Sequence, residues 1–122
     1  MKIRIKGNSV RFRLTQTEVK TLSDTGSITE TTDFGRSTFG YQVKLTPHIK
    51  ALTAEFSDNR IVLMVPEDDG KDWPLNDTVG FENNVELSTG DQLHLLLEKD
   101  FTCLDNTMED QSDNYPNPRL QV

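Results

Sequence analysis

Cysteine is almost absent from this chain. Of 122 residues only Cys103 carries a thiol, so no intrachain disulfide can form, and a reducing compartment is the expected setting. Long apolar runs are missing as well. The longest, Ile61 to Val65, falls far short of a membrane span, and the N-terminus begins in a strand pattern with no apolar signal core. The expectation is a soluble, cytoplasmic protein. Cations are in deficit: thirteen Lys and Arg against twenty Asp and Glu leave a net charge of −7. That argues against duplex DNA as a partner, because neutralising its phosphates takes a basic footprint. Enzyme signatures are missing too, with no phosphate-cradling Gly-rich loop, G-x-S-x-G elbow, H-E-x-x-H, CxxC or HxxxH in the sequence. No cofactor is expected.

What the chain does have is an uneven spread of charge. The first fourteen positions hold five of the thirteen cations and no acid, +5 in all, while the remainder carries −12. Within that segment apolar and basic residues alternate on both sides of Gly7-Asn8. Alternation marks a half-buried strand, and a two-residue Gly-Asn break marks a tight hairpin. The predicted pairs are Lys6–Ser9, Ile5–Val10, Arg4–Arg11, Ile3–Phe12, Lys2–Arg13 and Met1–Leu14. Lys2, Arg4, Lys6, Arg11 and Arg13 then share one face, with Ile3, Ile5, Val10, Phe12 and Leu14 on the other. Like charges directly opposed on a sheet repel, so an anionic group is expected over Arg4 and Arg11.

The remainder reads as one domain over 1–122 with an irregular acidic segment at 104–122. Thr15-Gln16-Thr17-Glu18 has the form of a capping box, Val19 and Leu22 give an apolar stripe, and Gly26 suits a helix stop, predicting a short helix over about 16 to 24. Strand patterns follow. Ile28, Glu30, Thr32 and Phe34 alternate, as do Phe39, Tyr41, Val43 and Leu45; Leu52, Ala54 and Phe56 form a third inward set. Asp58-Asn59 is a two-residue turn into Ile61–Val65, apolar on both sides and therefore expected as a central, doubly covered strand. Glu67 to Asp77 can hold one helical turn anchored by Trp73. Val79 and Phe81 restart a strand, Asn83-Asn84 is a candidate turn or bulge, and Leu93 to Phe101 form the last strand. The predicted fold is α+β, mainly an antiparallel sheet or partly closed β-barrel of about eight strands with one short helix after the N-terminal hairpin.

Both ends resemble a small bacterial family of unknown function. The opening Lys2-Ile3-Arg4-Ile5-Lys6-Gly7-Asn8-Ser9 is similar to that family's start. Its closing signature matches Glu98-Lys99-Asp100-Phe101-x-Cys103-Leu104, then Glu109-Asp110-x-Ser112-Asp113 and Pro116-Asn117-Pro118. The resemblance implies a free-standing domain of about this length and assigns no activity or catalytic residue.

The basic face is the candidate anion-binding site. Pairing with acids of neighbouring strands, with Glu30, Glu55 and Glu98 as candidates, is the simpler expectation. An anionic small molecule, or an acidic protein, is the functional alternative, since rows of Arg suit bidentate phosphate contacts. Single-stranded nucleic acid fits less well because Phe12 faces away from the cations. The acidic tail residues Asp105, Glu109, Asp110 and Asp113 could fold back over the basic face. With Glu98 and Asp100 they are also weak candidates for a Mg²⁺ or Ca²⁺ site, but their spacing matches no EF-hand and a solvated acidic loop is the plainer reading. His94 and Cys103, nine residues apart on one predicted strand, lie about 30 Å apart if extended, too far to cooperate, and Cys103 is expected as a small buried thiol. The triphosphate-tunnel fold alternates Glu residues before a Lys in its first strand, whereas Lys2, Arg4 and Lys6 stand here. The leading reading is therefore a non-catalytic binding domain whose basic N-terminal hairpin face meets the acidic C-terminal segment or an anionic partner. Its rival is a metal-assisted hydrolase of a phosphorylated small molecule, with the hairpin cations gripping phosphate.

Overall fold

The computed structural model describes residues 1–102 and 111–116. The N-terminal hairpin forms as its alternation dictates. Strands β1 (Lys2–Lys6) and β2 (Ser9–Leu14) pair antiparallel, with Arg4 opposite Arg11 and Lys2 opposite Arg13, and Gly7 takes the positive φ of 53° that the turn needs. Helix α1 (Gln16–Thr25) follows with a complete capping box: the Thr15 hydroxyl accepts from the Glu18 amide and the Glu18 carboxylate accepts from the Thr15 amide. It ends on Gly26 in the left-handed region at φ 91°. Val19 and Leu22 give α1 its buried stripe.

Among the described residues eight strands make two four-stranded sheets and no closed barrel. The first has the order β1-β2-β8-β7, where β7 is Gly80–Glu86 and β8 is Gln92–Lys99. The second has the order β3-β4-β6-β5, built from β3 (Ser27–Asp33), β4 (Thr38–Thr46), β5 (Thr53–Ser57) and β6 (Arg60–Pro66). Each sheet is two antiparallel hairpins set side by side, and in each the two central strands run parallel: β2 with β8, β4 with β6. The barrel expectation is corrected on this point. The strand orders leave β1 and β7, and β3 and β5, as sheet edges among the described residues, with no pairing of first strand to last, so neither sheet closes on itself.

Between β5 and β6 lies the expected turn. Asp58 and Asn59 both have positive φ, 52° and 59°, the mirror-image turn whose twist matches the flanking strands. Strand β6 is central in order, but within Ile61–Val65 the residues Ile61, Leu63 and Val65 are buried while Val62 and Met64 are half-buried; double coverage is therefore incomplete. After β6 come α2 (Glu67–Asp72) and a 3-10 turn, Trp73–Leu75. Trp73 is the anchor, fully buried, its indole N–H donating to the Thr78 carbonyl at 2.7 Å. Asn83-Asn84 is no turn. Both residues sit inside β7, where the Asn83 amide bonds the Leu52 carbonyl and Asn84 meets His94, so side-chain partners offset their poor strand propensity.

One core serves both sheets. Phe12 and Leu14 of β2 and Leu95 and Leu97 of β8 join Val43 of β4, Leu63 and Val65 of β6, the α1 stripe and Trp73 in a single cluster. Three residues expected to face inward are largely exposed: Ile5 at 56%, Phe34 at 70% and Phe56 at 65%. Ile5 and Phe56 lie on edge strands, and Phe34 lies beyond the end of β3, where the apposed layer no longer covers them. No helix among the described residues is long and apolar enough to cross a membrane.

Candidate functional site

Strand alternation puts the hairpin cations on the side of the first sheet away from the core, and the registers define rows across it. One row runs Lys2, Arg13, Glu98; the next Arg4, Arg11, Leu96, Glu82; the third Lys6, Ser9, His94, Asn84. The five cations thus occupy the β1–β2 half, while Glu98, Glu82 and His94 come from β8 and β7. Glu98 is the acid that the parallel β2–β8 pairing delivers. Its carboxylate accepts from the Arg11 guanidinium and lies 3.8 Å from Arg13 Nε. Beyond the end of β8, Asp100, itself buried, pairs with Lys2 at 3.2 Å. Arg4 and Lys6 pair with no carboxylate among the described residues.

Above Arg4 and Arg11 lies a depression of about 290 Å³ lined by Lys2, Ile3, Arg4, Arg11 and Arg13. Among the described residues no acidic side chain forms its wall. Directly opposed guanidiniums repel, and Glu98 relieves that repulsion only from the Arg11 side.

The other candidates fall elsewhere. Glu30 faces inward on β3 and, with Glu18, holds the α-ammonium of Met1, at 2.8 Å from Glu30, while Tyr41 donates to Glu30 at 3.0 Å. Burial opposes charge on that ammonium, yet the hydrogen bonds to Glu18 and Glu30 outweigh it and raise its pKa. Glu30 is likewise opposed by burial but held below the ordinary carboxylate range by the ammonium and Tyr41. Glu55 belongs to β5 of the second sheet. Asp113 sits at the start of α1, its carboxylate accepting from the Thr17 hydroxyl at 2.9 Å and the Thr17 amide at 3.3 Å, and its carbonyl accepts from the Gln16 amide. Asp105, Glu109, Asp110 and Cys103 lie outside the described residues. Among the described residues no three His, Cys, Asp or Glu side chains gather to share a metal; Glu98 and Asp100 are engaged by Arg11, Arg13 and Lys2. His94 bonds Asn84 at 2.6 Å on the outer face, and His48 occupies a loop with φ 67°.

One residue escaped the sequence reading. Lys99 continues the inward alternation of Leu93, Leu95 and Leu97 and is buried. The period-two pattern of β8 was the signal that could have revealed it.

These features define a class: a two-sheet α+β domain whose outer hairpin face carries a surplus of cations. The chain matches over residues 1–119 the model of a family of unknown function, DUF7009, and belongs to that family. Neither a curated protein nor a solved structure matches it.

Proposed function

We propose that this protein is a non-catalytic binding domain that takes a compact, phosphate-bearing anion on the outer face of the β1–β2 hairpin. The observation that carries the reading is the opposed Arg4–Arg11 pair over a depression lined by four cations and, among the described residues, no carboxylate. An anion seated there would relieve like-charge repulsion and accept forked guanidinium hydrogen bonds together. Glu98 and Asp100 restrain Arg11, Arg13 and Lys2, which lowers the cost of ordering long side chains on binding. A reducing, cytoplasmic setting suits a chain whose single cysteine has no intrachain partner.

The test is thermal unfolding at low salt with pyrophosphate, wild type beside an Arg4→Glu/Arg11→Glu variant. A ligand binding only the native state stabilises by about 2.7 kcal/mol at a hundred times its dissociation constant. Salt-sensitive stabilisation of the wild type, lost in the variant, supports the reading. No response from the wild type, or an equal response from the folded variant, rejects it. A response to poly-glutamate with none to pyrophosphate would assign the face to an acidic protein instead.

A further inference from the structure

Among the described residues Lys99 is the buried cation, 6% exposed at the end of β8. Its ammonium donates to the Asn76 carbonyl at 2.8 Å and lies 4.9 Å from the ring centre of Tyr115 and 5.8 Å from that of Trp73. Aromatic faces and one carbonyl are soft partners for a desolvated charge. No carboxylate comes within ion-pair distance of it among the described residues, and an ammonium has three N–H bonds to satisfy. Burial accordingly pushes the Lys99 pKa down, with the more distant Asp77 opposing.

A cavity of about 400 Å³ opens beside this ammonium, walled by Pro74, Val79, Phe101, Tyr115 and Pro116. That volume falls in the range of small-molecule sites. Its walls are fixed in advance. On one side Trp73 Nε1 donates to the Thr78 carbonyl at 2.7 Å and the Thr78 amide to Asn76 Oδ1 at 3.0 Å. On the other, the Tyr115 amide donates to the Asp100 carbonyl and the Thr102 amide to the Tyr115 carbonyl, both at 2.7 Å.

We propose that this cavity is a second binding site, for a small organic monocarboxylate whose flat apolar body lies between the prolines and Tyr115 and whose carboxylate pairs with Lys99. The charge count selects the class. Among the described residues one ammonium faces the cavity, enough to pair with a single carboxylate, and Asp77 also lines it, so a phosphate dianion is repelled more strongly than a monoanion. The apolar walls favour a ring or chain over an inorganic ion. The ligand converts a weakly partnered buried cation into an ion pair. This site uses the inward side of β8 and is independent of the hairpin face.

Trp73 is the chain's single tryptophan and its ring centre lies 5.8 Å from the Lys99 ammonium, so its fluorescence can read binding there. Titration of the full chain with benzoate, with neutral benzamide and inorganic phosphate as controls, should give a saturable emission change with benzoate only. Lys99→Met should weaken benzoate binding at least about tenfold, the scale of a charge-assisted bond, and Lys99→Arg should retain part of it. Asp77→Asn, at an exposed loop position that should leave folding intact, should tighten binding a few-fold by removing the competing charge. No saturable response from the wild type overturns the proposal. So does an equal response to benzamide, undiminished binding by Lys99→Met, or, should that variant not fold, unchanged affinity in Asp77→Asn.

Discussion

Replacing Glu98 by glutamine tests the electrostatics of the hairpin face directly. The variant keeps the side chain's shape and removes the charge that holds Arg11 and lies near Arg13, leaving Asp100 at Lys2 as the carboxylate still paired with these cations among the described residues. Glu98 is 21% and Arg11 30% exposed, so solvent screens the pair, and its net worth is about 1 kcal/mol, at the upper end for accessible ion pairs. For a domain of this length that lowers the melting temperature by about 4 °C at low salt. The loss should shrink with salt, because the screening length falls from about 10 Å at 0.1 M to about 3 Å at 1 M. Pyrophosphate affinity should move the opposite way, since the cations gain net charge. Thermal melts at both salt concentrations, with and without pyrophosphate, read all three effects. A loss independent of salt, or pyrophosphate affinity that falls along with stability, would refute the argument that Glu98 partly neutralises an anion site.

Three further outcomes are expected. The cluster of the Met1 α-ammonium, Glu18 and Glu30 should shape the dependence of stability on pH. Glu30 has a lowered pKa in the folded state, so its contribution is present above the ordinary carboxylate range and is lost as pH falls through the folded value; the ammonium, raised, contributes below the ordinary α-amino range and loses its share as pH rises through its folded value. Urea midpoints across pH should therefore fall at both ends, with Glu30→Gln flattening the acid arm. Gly80→Ala should cost about 2–3 kcal/mol in urea unfolding, because the new Cβ would lie 2.3 Å from the Leu97 carbonyl oxygen, a backbone atom that cannot turn away. Asp113→Ala should cost about 1 kcal/mol by freeing the Thr17 amide at the start of α1, read as a lower urea midpoint with an unchanged slope.

Much of the local structure was legible because it depends on neighbours in sequence. The hairpin register followed from alternation about Gly7-Asn8, since a two-residue turn leaves one pairing that puts Phe12 inside. The α1 boundaries followed from Thr15, Glu18 and Gly26, whose hydrogen bonds close within a few residues. At the candidate site the five cations were foreseen on one face, and Glu98 was among their three candidate partners. Asn83-Asn84 misled because asparagine favours turns only until a side-chain partner is supplied, here from Leu52 and His94. Exposure of Ile5 and Phe56 was hidden for a related reason: alternation tells which face a residue takes, not whether anything covers it.

Sequence by itself determined the Gly7-Asn8 and Asp58-Asn59 turns, the capped helix, the inward and outward faces of the strands, and the gathering of Lys2, Arg4, Lys6, Arg11 and Arg13 on one side of a hairpin. Only the tertiary structure decided that β2 lies parallel to β8 and β4 to β6, that the strands divide into two open sheets, and that Asp113 docks on α1. It alone set Lys99 between Trp73 and Tyr115. The physical reason is that backbone hydrogen bonds are chemically alike in every strand, so an exposed edge carries no address for its partner. That choice falls to the shared core, where Phe12, Leu97, Val43 and Leu63 are buried together from segments far apart in the chain.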